Sequence, residues 1–153
     1  MMSRKFKIFI IAILLLYGCE YKPIYSNKSD NNFSIKEINF NGEIEINNLI
    51  NRKLIRYQNQ TASKKFDIEV NSFYEKISQS KDRTGKTTDY KVIIRINFQI
   101  GYAGNITNLQ LSEDFLMKNL TDKFEEKKYE KTRIENATDV MINTLIVQLS
   151  QIQ

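Results

Sequence analysis

The chain has 153 residues, 41% of them hydrophobic and 27% charged, with a formal charge of +5. That is the length and composition of one globular domain with a real core, not of a disordered chain. There is no His and no Trp, with one Cys, five Gly and one Pro, which excludes His-based nucleophilic catalysis, an intramolecular disulfide, a thiolate metal cluster and the glycine-rich phosphate loops. The expectation is a non-enzyme with no cofactor and no metal.

The chain opens with a basic stretch, Arg4, Lys5 and Lys7, followed by the unbroken apolar run Ile8 to Leu16. A spanning helix needs about 20 apolar residues; this run fits a signal-peptide core of about 7–15 instead. It ends in Leu16-Tyr17-Gly18-Cys19, which resembles the bacterial lipobox. That resemblance implies acylation of the Cys19 thiol, cleavage before Cys19 and acylation of the new amine by a fatty acid such as palmitate. Each CH₂ buried in lipid contributes about 0.8 kcal/mol, so two or more chains make a stable anchor. Glu20 stands where enteric lipoproteins retained in the inner membrane carry Asp, which permits transport to the outer membrane. Three of the 23 cations lie in the leader, which leaves the mature chain at about +2. With its charge mixed along the chain, no nucleic-acid partner is expected.

Residues 19–32 are polar with one Pro and read as a lipidated tether between the signal peptide, 1–18, and a single domain, 33–153. The domain begins with a strand over Phe33 to Phe40, with Ile35, Ile38 and Phe40 as imperfectly alternating apolar members, and Asn41-Gly42 closes it. Ile46, Leu49, Ile50, Leu54 and Tyr57 recur at steps of three and four, predicting a helix over Glu43 to Tyr57 with Asn41 or Gly42 as candidate cap. A long strand is predicted over Lys64 to Ser80. Phe66, Ile68 and Val70 alternate, but Phe73 and Ile77 have the opposite parity, and a bulge near Ser72 would reconcile the halves. The charged turn Lys81 to Lys86 follows, with Gly85 near its tip.

The next strand is the clearest element. Tyr90, Val92, Ile94, Ile96, Phe98 and Ile100 form one face, and Lys91, Arg95, Asn97 and Gln99 the other, interrupted by Ile93. This is the pattern of an antiparallel sheet covered on one side. After a turn at Gly101 to Gly104, a fourth strand carries Leu109, Leu111 and Phe115. Leu116 to Lys131 is charged and poorly periodic and reads as a solvated loop or frayed helix. The last helix is predicted over Thr132 to Ile152, with Thr132 and Glu135 as a capping box and Ile134, Ala137, Met141, Leu145 and Leu149 on its apolar face. The expected fold is α+β: two helices packed on one face of a four-stranded, mainly antiparallel sheet, in the order β-α-β-β-β-α.

Glu113/Asp114 and Glu125/Glu126 are the paired carboxylates. Neighbours on a strand point to opposite faces, and the second pair lies in a charge run, so neither reads as an acid/base dyad. The basic residues Lys76, Lys81, Arg83, Lys86, Lys91 and Arg95 fall on two adjoining strands and their turn. Arg83, Lys86 and Lys91 are the candidates to cluster near one end of the sheet, where a guanidinium and ammonium groups pair with phosphate and the sheet edge offers apolar contact. A dense anion with apolar tails suits such a site; a solubilising, edge-protecting turn is the other reading.

Three stretches together resemble one family. Cys19-Glu20-Tyr21-Lys22-Pro23-Ile24-Tyr25 resembles the start of the alphaproteobacterial-type LPS-assembly lipoprotein family LptE. Arg83-Thr84-Gly85-Lys86-Thr87-Thr88-Asp89-Tyr90 is similar to its hairpin, and Lys131 to Leu149 to its final helix. The resemblance implies an outer-membrane lipoprotein, its domain facing the periplasm or a barrel lumen, that acts as plug and partner of the barrel protein LptD in lipopolysaccharide export. It further implies that Arg83 contacts lipopolysaccharide, with Lys86 a neighbouring candidate, and that there are no catalytic residues. The alternative is a periplasm-facing scaffold lipoprotein of another outer-membrane assembly machine, with no lipid ligand.

Overall fold

The computed structural model describes residues 33–58 and 62–152. The leader, Cys19 and the tether lie outside the described residues. The elements are β1 (Phe33–Gly42), α1 (Ile44–Leu54) continued by a 3₁₀ turn (Ile55–Tyr57), β2 (Lys64–Lys81), β3 (Thr87–Tyr102), β4 (Asn105–Lys118) and α2 (Lys123–Gln151). The strands lie in the order β1-β2-β3-β4. β1 runs parallel to β2 across the α1 crossover, and the two hairpins are antiparallel. The expected α+β architecture is the observed one.

The core lies between one face of the sheet and the two helices. β3 contributes Val92, Ile94, Ile96, Phe98 and Ile100, all essentially inaccessible, and α2 meets them with Met141, Ile142, Leu145 and Leu149. α1 adds Ile46, Leu49, Ile50 and Leu54. Phe33 stacks on Tyr57 at 5.3 Å and meets Phe66 edge-on at 5.9 Å, and Phe66 lies 5.0 Å from Tyr102. This aromatic cluster closes the end of the sheet opposite the β2–β3 turn.

One irregularity is explained and two local expectations are corrected. The irregular alternation of β1 comes from a register shift between Ile35 and Glu37; the extra residue, Lys36, lets Ile35 and Ile38 share the covered face. β2 has no bulge at Ser72. Its pairing with β3 runs unbroken from Asp67 to Ser78, and the shifts fall beside Ser80. Phe73 and Ile77 therefore stay on the open face, partly exposed, while the covered face turns polar at Ser72, Tyr74 and Lys76. Ser72 is buried because it receives the start of α1: its hydroxyl oxygen accepts from the Glu43 amide at 2.9 Å and lies 2.8 Å from Asn47 Oδ1. Gly42, with φ of +93°, passes so close that a Cβ there would lie 1.9 Å from the Ser72 carbonyl oxygen, which only glycine avoids.

The second correction concerns the last helix. It starts at Lys123, not at Thr132, and runs for 29 residues. Asp122 caps it, its carboxylate accepting from the Phe124 and Glu125 amides at 2.9 and 3.2 Å, which satisfies two of the donors every helix start leaves free. Thr132 is mid-helix, and its hydroxyl donates to the Lys128 carbonyl at 3.0 Å. The preceding residues Leu116 to Lys118 belong to β4, where Met117 is buried. Among the described residues no helix is long and apolar enough to cross a membrane.

Candidate anion site at the hairpin turn

β1 ends opposite Ser72. Beyond that point the sheet narrows to β2, β3 and β4, which carry the charged turn. The turn is internally braced. The Asp82 amide donates to the Lys86 carbonyl at 2.9 Å and the Gly85 amide to the Asp82 carbonyl at 3.0 Å. The Asp82 carboxylate accepts from the Thr84 hydroxyl at 2.6 Å and from the Thr84 and Lys86 amides at 2.8 and 3.0 Å. The Thr84 hydroxyl and these amides hold the Asp82 carboxyl below its ordinary range. Gly85 takes a φ of +86°, the left-handed conformation that closes the loop. Arg83 and Lys86 are both exposed on this fixed scaffold, and Lys81 stands exposed at its foot.

The foot is tied to the loop that follows β4. The Asn119 amide donates to the Thr88 carbonyl at 2.8 Å and its side chain to the Thr87 carbonyl at 2.7 Å. That loop is held in turn by Glu126, whose Oε2 accepts from the Leu120 amide and the Lys123 ammonium, each at 2.8 Å. Glu126 is only 6% exposed. Burial opposes its ionisation, but the Lys123 ammonium, the Leu120 amide and Lys76 outweigh burial and hold its carboxyl below the usual range.

Lys76 crosses from β2 to the same acid. Its ammonium lies 3.4 Å from Glu126, 2.8 Å from Glu130 and 4.5 Å from the Tyr90 ring centroid. Burial favours its neutral form, yet the contacts with Glu130 and Glu126 win and raise its pKa. Tyr74 donates to Glu130, and burial together with that carboxylate pushes its hydroxyl pKa up. Sequence reasoning placed Lys76 among the available cations and read Glu126 as a solvated charge. Both belong to a covered ionic network under the turn.

Of the three candidates, Arg83 and Lys86 share the turn. Lys91 lies apart, on the open face opposite Ile77, with its ammonium 3.1 Å from the Asp114 carboxylate. Arg95 similarly approaches Glu75 at 3.5 Å. One signal for the missed elements was present. Asp122 stands three residues before Glu125, the spacing of a helix start. Nothing local marks Glu126 as buried. Among the described residues there is no group of three or more His, Cys, Asp or Glu placed to hold a metal.

The helix-backed four-stranded sheet is a fold that bacterial lipoproteins use. Rare lipoprotein B from Shewanella oneidensis superposes with a TM-score of 0.53 at 12% identity, covering 73% of this chain and 91% of that one. Lipoprotein B from Nitrosomonas europaea gives 0.53 at 14% identity, covering 80% and 88%. A minor lipoprotein from Acinetobacter baumannii gives 0.50 at 12% identity, covering 74% and 94%. No protein-family model and no curated protein sequence matches the chain.

Proposed function

We propose that this chain is a lipid-anchored outer-membrane protein that assists lipopolysaccharide assembly and export as the plug and partner of an LptD-type barrel. The role is non-catalytic: the anchor is acylated Cys19, and Arg83 and Lys86 contact the phosphates of lipopolysaccharide. The observation that carries the reading is the braced turn, which holds two exposed cations on a fold shared with bacterial lipoproteins. The Leu16-Tyr17-Gly18-Cys19 sequence supports the anchor. Cys19→Ser should yield an uncleaved precursor that takes up no labelled fatty acid, and labelling of that variant would refute the anchor.

Charge-assisted contacts contribute about 1.5–3 kcal/mol each when desolvated. Arg83→Asp with Lys86→Asp should therefore weaken lipopolysaccharide binding at least ~tenfold at low salt. The fold should survive, because exposed charges add little stability. Capture of the acylated protein from the outer membrane should bring down an LptD-type barrel, with the double variant as well as the wild type. Wild-type lipopolysaccharide affinity in a folded double variant would reduce the turn to a solubilising feature. Capture of a different assembly machine would favour the scaffold alternative.

A further inference from the structure

Exposed apolar side chains gather beside the basic turn. In one row across the sheet, Ile77 and Leu116 flank Lys91 on the open face. Around the β4 edge from there, Leu116, Met117, Leu120 and Tyr129 line a hollow of about 420 Å³ that Asp89 and Lys118 rim. Leu116 is 62% exposed, Leu120 38% and Tyr129 47%, so three large apolar groups face water within one depression. Strand alternation turns Met117 into the core and Leu116 outward, and the loop and helix that follow bring Leu120 and Tyr129 beside it.

The carboxylates at the hollow are already engaged. Glu126, at its wall, has one carboxylate oxygen on Lys76 and the other on the Leu120 amide and Lys123. Asp89 accepts from the Thr88 hydroxyl at 2.8 Å. What the hollow offers an occupant is apolar contact. Lys86 lies three residues before Asp89, about 10 Å along an extended strand. At this end Lys81, Arg83, Lys86 and Lys118 stand exposed, against Asp82, whose carboxylate is turned onto the turn's own amides, and Asp89. An apolar hollow under a net positive rim is complementary to a molecule with an anionic head and a hydrocarbon chain. A free phosphate would leave the hollow empty, and a neutral lipid would leave the cations unused.

We propose that this hollow holds one acyl chain of a single phosphorylated lipid molecule whose head lies on Arg83 and Lys86. The proposal rests on the reading of the turn as the lipopolysaccharide contact and adds the chain-binding half of the site.

The test uses the full acylated chain in a neutral maltoside detergent and two probes: lipid A with its acyl chains, and the fully deacylated bisphosphorylated disaccharide. The wild type should hold lipid A several-fold more tightly than the disaccharide, and the leucine variant shows that the preference comes from the hollow and not from the shared micelle. Leu116→Ser with Leu120→Ser should lose about fivefold or more on lipid A and stay within about twofold on the disaccharide. Arg83→Asp with Lys86→Asp should weaken both. A photoreactive residue in place of Leu120 should label the acyl chain, whereas one in place of Ile106, 66% exposed at the far end of β4, should not. Both leucines are exposed, so the variants keep the circular dichroism of the wild type. Equal wild-type affinity for the two probes, wild-type lipid A affinity in the serine variant, or equal labelling from positions 120 and 106 each overturns the proposal and leaves the phosphate contact standing. Failure of both probes to bind the wild type removes the turn reading and this proposal with it.

Discussion

The two ends of the sheet solve the same covering problem in different ways. At the aromatic end, four strands lie under two helices. The covered face is Phe33, Ile35, Phe66, Ile68 and Ile100, all at most 2% exposed, and the open face carries Glu69, Asn71, Asn97, Gln99, Asn108 and Gln110 around a shallow depression. At the turn end, three strands lie under the first half of α2 alone. There the covered face includes Ser72, Tyr74 and Lys76, and the open face carries Phe73, Ile77 and Leu116. Apolar groups sit inside at one end and partly outside at the other. The turn end keeps Val92, Phe115 and Met117 buried but covers less apolar surface than the aromatic end. The rest of the turn end is held by ion pairs and hydrogen bonds, which contribute less net stability per group than apolar burial and leave apolar surface available to a partner. Binding elements are commonly drawn from such less stable regions.

The largest expected effect is at the aromatic side of this contrast. Phe98 is 1% exposed, so Phe98→Ala should cost about 3–5 kcal/mol, read from the denaturant midpoint. A loss below about 1 kcal/mol would erase the distinction between the two ends.

Next comes the network under the turn. Glu126→Ala removes partners from Lys76, Lys123 and the Leu120 amide and should cost about 1–3 kcal/mol. It should also speed hydrogen exchange at Asn119 and around the turn's foot while leaving Val70 and Phe98 protected. Exchange rising evenly over the sheet would mean that the ends are one cooperative unit. The pH dependence has a fixed sign. Because the Glu126 carboxyl is held below its ordinary value, its contribution is fully present above the unfolded carboxylate value of about 4.3 and is lost as pH falls through the lower folded value. Glu126→Gln should flatten the stability curve in that acidic window and leave the neutral slope alone.

The smallest effect on stability belongs to the open face. Lys91 and Asp114 are 33% and 55% exposed in their side chains, and such pairs contribute about 0–1 kcal/mol. Asp114→Asn should shift the midpoint by less than about 0.5 kcal/mol. It releases Lys91 beside Leu116, so lipopolysaccharide affinity should rise modestly in a binding titration; an unchanged affinity would remove Lys91 from the candidates.

Legibility followed the range of the interactions. β3 was readable because one uninterrupted alternation fixes which face is covered, and the second half of α2 because Ile134, Met141, Leu145 and Leu149 repeat at helical spacing. The first half of α2 was read as a solvated loop or frayed helix because it meets β2 through Glu126 and Glu130, charges that carry no periodic apolar signal, while Phe124 and Tyr129 face water. The parity break in β2 was visible, but its cause was not a bulge. Ser72 is polar and buried because Gly42 and the start of α1 press on it.

The sequence by itself determined the element order, the covered face of β3, the apolar stripes of the two helices, and the turn with its Gly85 and paired cations, since each depends on residues within a few positions of one another. Only the tertiary structure decided which cations are available. Lys76, Lys91 and Arg95 carry the same charge as Arg83 and Lys86, but Lys76 meets Glu126 and Glu130 some fifty residues away, Lys91 meets Asp114 across a strand pair and Arg95 meets Glu75 across another. Coulombic pairing acts over a few ångströms of space and is blind to distance along the chain. The register of three strands and the packing of one helix therefore leave Arg83 and Lys86 facing solvent together at the hairpin turn.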